Sequence, residues 1–360
     1  MYTLVNLDYE AYLFDSHYHE NADQFVRAVK EFEHVFFLFA KKTDSMIIYN
    51  EYSNEDLLHY EKLGFEIPKL TPKTRINKNL PINYWWGKKH ELELEKFLNS
   101  KLTSIMIAKK LHLGFYQGAV VNSYPEFLTH LDKHPEITEW VLKNPYGMSG
   151  RGHYLFSTDK QSNKKIPEHI VKSRTILEPL YKRVLDLGTT FVVEEGKIVD
   201  QFMVINFNDH IGQFKGAGTS LNQKAIGLFL EKAFGISFDL IQSQLQQIAN
   251  EYLQHRPENN IQIDSFFYLD QNNKFQFYPL VEVNCRKTMG LVVYQLAKRH
   301  PEAWCEWRFE EEQKIANENE IESFRLSPQN VKTQTTVKYF KDVLRYLDSD
   351  KPDGLFFRHN

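Results

Sequence analysis

The chain has 360 residues, 42% hydrophobic and 25% charged, a globular balance that excludes a disordered chain and suffices for two or three domains. Its 44 basic and 47 acidic side chains leave a net charge of −3, which gives no overall pull towards nucleic acid or an anionic membrane, and two cysteines are too few for a disulfide framework or a cysteine-rich zinc centre. The opening MYTLVNLDYEAYLF is acidic where a secretion signal is basic, and no apolar run reaches membrane-spanning length, so a cytoplasmic protein with neither nucleic acid nor membrane as partner is expected.

Up to residue 65 short apolar runs, EHVFFLFA and DSMIIYN, alternate with helix-like stretches, ADQFVRAVKEF and NEDLLHYEKLG. That rhythm predicts a small parallel α/β domain over residues 1–95. TPKTRINKNLPINYWWG, with its prolines and weak periodicity, reads as a linker. HELELEKFLNSKLTSIMIAKKLHLG is periodic as a helix and ends at Gly114. GAVVNSYPEFLTHL and TEWVLKNP then read as strand, helix and strand, and NPYGMSGRGHYLF as a glycine-rich turn between two strands. TTFVVEEGKIVDQFMVINFN is a hairpin turning near Glu195 and Gly196. LNQKAIGLFLEKAFG and DLIQSQLQQIANEYLQHR are helices, and IDSFFYLDQNNKFQFYPLVEVN is a second hairpin that turns through Asp270 to Asn273. Aromatic residues, 14% of the chain, concentrate in these strands as expected of a β-rich core. Antiparallel hairpins with packed helices predict an α+β unit over residues 96–300. Residues 301–360 are polar and helical in places, and a helical tail packing on that unit is expected.

The second hairpin breaks a rule. Glu282 and Asn284 are two apart in a strand and share a face, and a fold about Asn273 sets Asp264 opposite Glu282. Like charges facing each other across strands destabilise a sheet, and the neighbours Phe266, Tyr268, Tyr278 and Leu280 do not make a solvated face. A divalent cation resolves the conflict, and an all-oxygen set of Asp, Glu and Asn suits Mg²⁺ better than zinc. An edge hairpin with its acids in water is the other account.

The segment from Lys143 to Gly152, KNPYGMSGRG, combines glycines that let backbone approach a ligand with a lysine at a strand end. Successive N–H groups in such a turn can cradle phosphate, and the lysine supplies a point charge. It is neither a P-loop nor a dinucleotide fingerprint, because the GK[ST] is missing and a strand follows instead of a helix.

A flexible loop with a lysine for phosphates, and two carboxylates with an amide for magnesium, point to one chemistry. Over about residues 95–300 the sequence resembles the ATP-grasp superfamily. WVLKNPYGMSGRG is similar to the family's strand–lysine–glycine-loop segment, which implies Lys143 on the α/β-phosphates and Ser149, Gly150 and Gly152 in a lid over the triphosphate. Asn99-Ser100-Lys101 opening a helix looks like the family's earlier phosphate-binding lysine and carries that role to Lys101. Ile176-Leu177-Glu178-Pro179-Leu180 resembles the interdomain hinge, with Glu178 and Leu180 at the adenine and Asp186 near the ribose. Asp264, Glu282 and Asn284 are similar to the metal set, and Arg286 matches the arginine that follows it in many members.

The resemblance implies a pre-ATP-grasp-like N-terminal domain followed by an ATP-grasp fold whose lid spans about residues 112–178. It implies ATP and Mg²⁺, two ions, as cofactors. The implied reaction is ligation of a small carboxylate to an amine through an acyl phosphate, with Arg286 and Lys143 as catalytic residues. A phosphotransferase on a small molecule, or a non-catalytic nucleotide-binding module, are the alternatives. The stretch Cys285 to Gly290, CRKTMG, matches no substrate subgroup and leaves the acid and amine open.

Overall fold

The structure is a computed structural model and describes residues 2–14, 18, 19, 22–76, 81–89, 91–146, 153–158, 171, 174–209, 212–255, 257, 260–309, 320–341, 343 and 347. The chain opens with β1 (Tyr2–Leu4), α1 (Tyr9–Phe14), α2 (Asp23–Phe32), β2 (Ser45–Ile48), α3 (Asn54–Lys62), β3 (Lys69–Pro72) and β4 (Ile82–Tyr84). The strands form one sheet in the order β3-β2-β1-β4, every pair parallel, as the alternating rhythm predicts. Ser53 starts α3 with a reciprocal capping box to Asp56, which satisfies two of the helix's otherwise orphaned donors.

Two expectations in this region are corrected. The apolar run EHVFFLFA is a 3-10 helix over Glu33–Leu38, not a strand; a continuous apolar run has no period that separates a strand from a buried helix. The stretch read as a linker holds the sheet's fourth strand, since β4 pairs with β1 and is followed by the buried Trp85 and Trp86. A three-residue strand is too short to show a period of two.

Next come α4 (Leu92–Leu98), α5 (Lys101–Leu111), β5 (Ala119–Val121), α6 (Tyr124–Lys133), β6 (Glu139–Lys143), β7 (Tyr154–Ser157) and β8 (Thr175–Pro179). The single long helix expected before Gly114 is two helices: Ser100 caps α5 by accepting from the Leu102 N–H, and Asn99 closes α4. The four strands make an antiparallel sheet in the order β5-β8-β6-β7. Phe127 of α6 packs with Trp140, Leu142 and Leu177 of that sheet.

The rest of the chain supplies β9 (Lys182–Glu194), β10 (Lys197–Asn208), β11 (Phe214–Thr219), α7 (Gln223–Phe234), α8 (Phe238–Leu253), β12 (Ile261–Leu269), β13 (Phe275–Asn284), α9 (Met289–Ala297), β14 (Trp304–Arg308), β15 (Glu320–Arg325) and β16 (Thr336–Phe340). Its eight strands run in the order β13-β12-β9-β10-β11-β14-β16-β15, every pair antiparallel. Both expected hairpins form; Glu195 and Gly196 turn the first with φ of 50° and 73°, the left-handed pair that a two-residue hairpin turn demands. Among the described residues of the tail the expectation of a helical segment is corrected up to residue 340, where β14, β15 and β16 complete the sheet, while Val343 and Leu347 beyond them are helical.

This sheet is buried on both faces, and its period of two divides its residues between two cores. Met203, Ile205 and Phe207 of β10 pack with α5, α7 and α8. Phe202 and Val204 of the same strand face α9 and the N-terminal layer. Helix α8 presents Ile241, Leu245, Ile248, Ala249 and Tyr252 to the first core, one stripe at helical spacing. The N-terminal layer docks on the second core through Tyr60, whose hydroxyl donates to the Leu326 carbonyl at 2.9 Å.

Candidate active site

Between the N-terminal layer, the small sheet and the large sheet lies a cleft of about 630 Å³, within the usual size of small-molecule sites. Its wall includes Lys101, Lys143, Glu178, Asp186, Asp264, Glu282, Asn284 and Arg286. Lys101 and Arg286, 185 positions apart in the sequence, therefore share one cavity. Leu180 stands apart: it is exposed, does not line the cleft, and its N–H is donated to the Glu139 carbonyl at 2.8 Å. Ser149, Gly150 and Gly152 lie outside the described residues.

The acidic floor comes from the β12–β13 hairpin. Asp264 pairs directly with Glu282, and Gln262 with Asn284. Nearer the turn Phe266 pairs with Tyr278, and a bulge between Asp264 and Phe266 shifts the register. That bulge is what brings Asp264 opposite Glu282. Two amides bracket the Asp264 carboxylate: Gln262 Nε2 donates to Oδ1 at 2.9 Å and Asn284 Nδ2 to Oδ2 at 3.1 Å. Burial and then the neighbouring Glu282 charge push Asp264 up to about 7. Burial also acts against the charged form of Glu282, but the Lys101 ammonium paired with it brings its pKa below the usual value.

The cations arrive from separate elements. Lys101 opens α5, whose placement is fixed by bonds to the floor strand: the Val283 N–H donates to Ser104 Oγ at 3.0 Å and the Cys285 N–H to Asn99 Oδ1 at 2.9 Å. Lys143 ends β6 and pairs with Glu178 of β8, a diagonal cross-strand neighbour. Glu178 also accepts from the Tyr278 hydroxyl at 3.1 Å. Lys143 and Glu178 are both buried, and burial lowers the Lys143 pKa despite the carboxylate beside it.

Arg286 lies just past β13. It is ion-paired with Glu10 of α1, donates to Asn284 Oδ1 at 3.0 Å, and stands over the Trp86 ring at 5.8 Å. Asp186 of β9 accepts from Arg183 at 3.2 Å and from Asn208 at 2.9 Å.

Gln262, Glu10 and Trp86 are among the lining residues not singled out by sequence reasoning. Gln262 could have been found, because it shares the Asp264 face at a spacing of two. Glu10 and Trp86 could not, since only the docking of the N-terminal layer brings them to the cleft. Within that layer Asn6 ties the Trp86 segment to the end of β1, donating to the Gly87 carbonyl at 2.7 Å and accepting from the Trp86 N–H at 3.0 Å, and the Lys287 N–H reaches the layer by donating to the Trp86 carbonyl at 2.9 Å.

No protein-family model matches this sequence, and no curated protein matches it. Among solved structures, N5-carboxyaminoimidazole synthetase from Staphylococcus aureus aligns with 97% of this chain and 95% of its own, with a TM-score of 0.54 and 8% identity. The chain has the ATP-grasp fold. A biotin carboxylase complex from Campylobacter jejuni aligns at a TM-score of 0.47 and 11% identity, over 95% of this chain and 87% of that one. D-alanyl-alanine synthetase A from Vibrio cholerae aligns at 0.37 and 18%, over 56% and 58%. Identity this low extends to the ATP-grasp architecture and no further; the chemistry must come from the cleft's own residues. None of the described helices is long and apolar enough to cross a membrane.

The cleft's donor chemistry fits a hard divalent cation. Two facing carboxylates, one of them driven towards its neutral form, are relieved by positive charge, and the amide of Asn284 adds a third oxygen. No group of three or more His, Cys, Asp and Glu side chains is poised for a metal among the described residues, so the set is two carboxylates and an amide. In this structure Lys101 occupies Glu282 and Arg286 occupies the Asn284 oxygen. Lys101, Lys143 and Arg286 are each paired with an acid, Glu282, Glu178 and Glu10 respectively.

Proposed function

We propose that this cleft binds ATP with Mg²⁺ and ligates a carboxylate to an amine. The observation that carries the reading is the convergence in one cavity of three cations, Lys101, Lys143 and Arg286, with the facing Asp264 and Glu282. Lys101 and Lys143 offset triphosphate charge, and Glu178 and Asp186 lie at the nucleoside end. Asp264, Glu282 and Asn284 would hold Mg²⁺, which neutralises phosphate charge when bound. Arg286, a planar fork, orients the acid's carboxylate.

A carboxylate oxygen attacks the γ-phosphorus, the bond to the β–γ bridging oxygen breaks, and ADP leaves an acyl phosphate. The amine nitrogen then attacks the carbonyl carbon, the C–O bond to phosphate breaks, and the nitrogen's proton passes to solvent. The chain's part is positioning and charge neutralisation.

Calorimetry of ATP binding with Mg²⁺ and with chelator tests the first half of the reading; tight binding only with Mg²⁺ is expected, and no binding in either overturns it. Hydroxylamine added with ATP and a stimulating acid tests the second half. A hydroxamate supports the ligase, whereas a stable phosphorylated product and no hydroxamate assigns a phosphotransferase.

A further inference from the structure

The cleft is polar at its floor and aromatic on the side of the N-terminal layer. Phe14, Phe32, Trp86, Phe214 and Phe309 line it, and they come from α1, the end of α2, the residues after β4, the start of β11 and the residue after β14. Phe32 packs on Phe309 with ring centroids 5.1 Å apart, and Phe309 meets Phe214 edge-on at 5.4 Å. Phe14 stacks on Tyr146 at 4.4 Å. The nearby core aromatics Phe36, Phe37 and Trp307 are buried. Phe14, Phe32, Phe214 and Phe309 pack against the same core but are only half-buried, and all four line the cleft. Packing alone does not account for apolar surface left open in a concave site; an apolar ligand does.

This wall begins at Arg286. Trp86 lies under the guanidinium, and Glu10, paired with that guanidinium, is one helical turn from Phe14 on the same face of α1. We propose, resting on the ligase reading above, that the acid carries a flat apolar body, an aryl or comparably large hydrocarbon group. Its carboxylate engages Arg286 and its body lies on the wall formed by Phe14, Phe32, Trp86, Phe214 and Phe309. Glu10 repels a second carboxylate on that body, so dicarboxylic acids are poor substrates.

Equilibrium dialysis of 3-phenylpropionate, propionate and succinate against the full chain tests this, with ATP affinity measured on the same samples. The expected result is 3-phenylpropionate bound about 10-fold or more tighter than propionate, as burial of a ring's apolar area requires, and succinate bound most weakly. Phe32→Ala and Phe309→Ala should each shrink that preference about 5-fold or more while ATP affinity stays within about 2-fold. Phe32→Leu keeps apolar volume without the ring and carries the test if the alanine variants do not fold. Equal binding of the two monocarboxylates overturns the proposal, as does a preference that survives every substitution. A larger loss of ATP than of acid in Phe32→Ala also overturns it, because the wall would then hold the nucleobase. Absence of ATP binding alongside an intact, ring-dependent preference overturns the ligase reading and leaves the apolar acid site standing.

Discussion

In the N-terminal layer His34 is enclosed completely, neither ring nitrogen has a hydrogen-bond partner among the described residues, and burial alone pulls its pKa down to about 3. Its neighbour Glu33 is also enclosed; burial pushes it up to about 7 although it accepts the Tyr49 and Asn50 N–H groups. In the cleft Lys143 is likewise buried but lies against Glu178, and Lys101 lies against Glu282. Burial is tolerated in the first region by giving up charge and in the second by pairing it. The pKa of Asp264 in the cleft is raised by burial as that of Glu33 is, so it is the paired lysines, not the acids, that set the two regions apart.

The sharpest way to break that contrast is Glu282→Ala. If Glu282 is held for a cation and not for packing, turnover should fall about 10³-fold, while the melting temperature changes little, because relieving Asp264 of a like charge offsets the loss of the Lys101 pair. A cooperative drop in melting temperature would make Glu282 a structural residue.

Lys143→Met probes the pair inside the small sheet. It leaves Glu178 buried without its cation and should cost on the order of 3 kcal/mol in chemical denaturation. Adding Glu178→Leu should recover most of that loss. Lys101→Met should cost less, since Glu282 keeps more access to water than Glu178 does. Equal costs for the two lysines would erase the distinction between a closed pair and an exchangeable one.

Arg286→Lys keeps the charge and loses the planar fork. ADP release driven by the acid should drop about 10²-fold with ATP affinity much less affected. A matching loss of ATP affinity would move Arg286 from the acid to the triphosphate.

The smallest effect belongs to His34. Its folded pKa is depressed, so the unfolded chain takes up a proton near pH 6.5 while the folded chain does not until about pH 3. The stability it contributes is present above pH 6.5 and is lost as pH falls through that window. By pH 5 the loss relative to pH 7 should be about 2 kcal/mol. Denaturation of His34→Leu beside the parent, in which Glu33 is common to both, should show a flatter profile; parallel profiles would mean that His34 finds a partner for its proton.

The acidic floor was legible in the sequence because a strand's period of two is local: Glu282 and Asn284 share a face whatever surrounds them. The facing of Asp264 and Glu282 was also anticipated, yet the pairs nearest the turn follow another register, and it is the bulge after Asp264 that brings the two together. A symmetric fold about the turn contains no bulge. The break between α4 and α5 was legible in part: Asn99, Ser100 and Lys101 marked a helix start, but the periodicity on either side concealed that one helix ended there. Leu180 matched a hinge pattern, and its backbone donor is nevertheless spent on Glu139.

What the sequence determined by itself was whatever repeats at short range: the parallel rhythm of the first residues, the two hairpins with their turns, the amphipathic helices, and the residue types of the cleft. Their side-chain periods and turn chemistry are set within a dozen residues. What only the tertiary structure decided was everything that depends on docking. The strands after residue 300 form because β11 offers β14 an edge, and each added strand offers an edge to the next. β4 forms because β1 is beside it. Glu10 and Trp86 reach Arg286 because the N-terminal layer buries its apolar face on the large sheet. The contacts of β4 with β1, of β14 with β11 and of Glu10 with Arg286 join residues 80 or more positions apart, and their free energy comes from surface removed from water between elements, which no local pattern records.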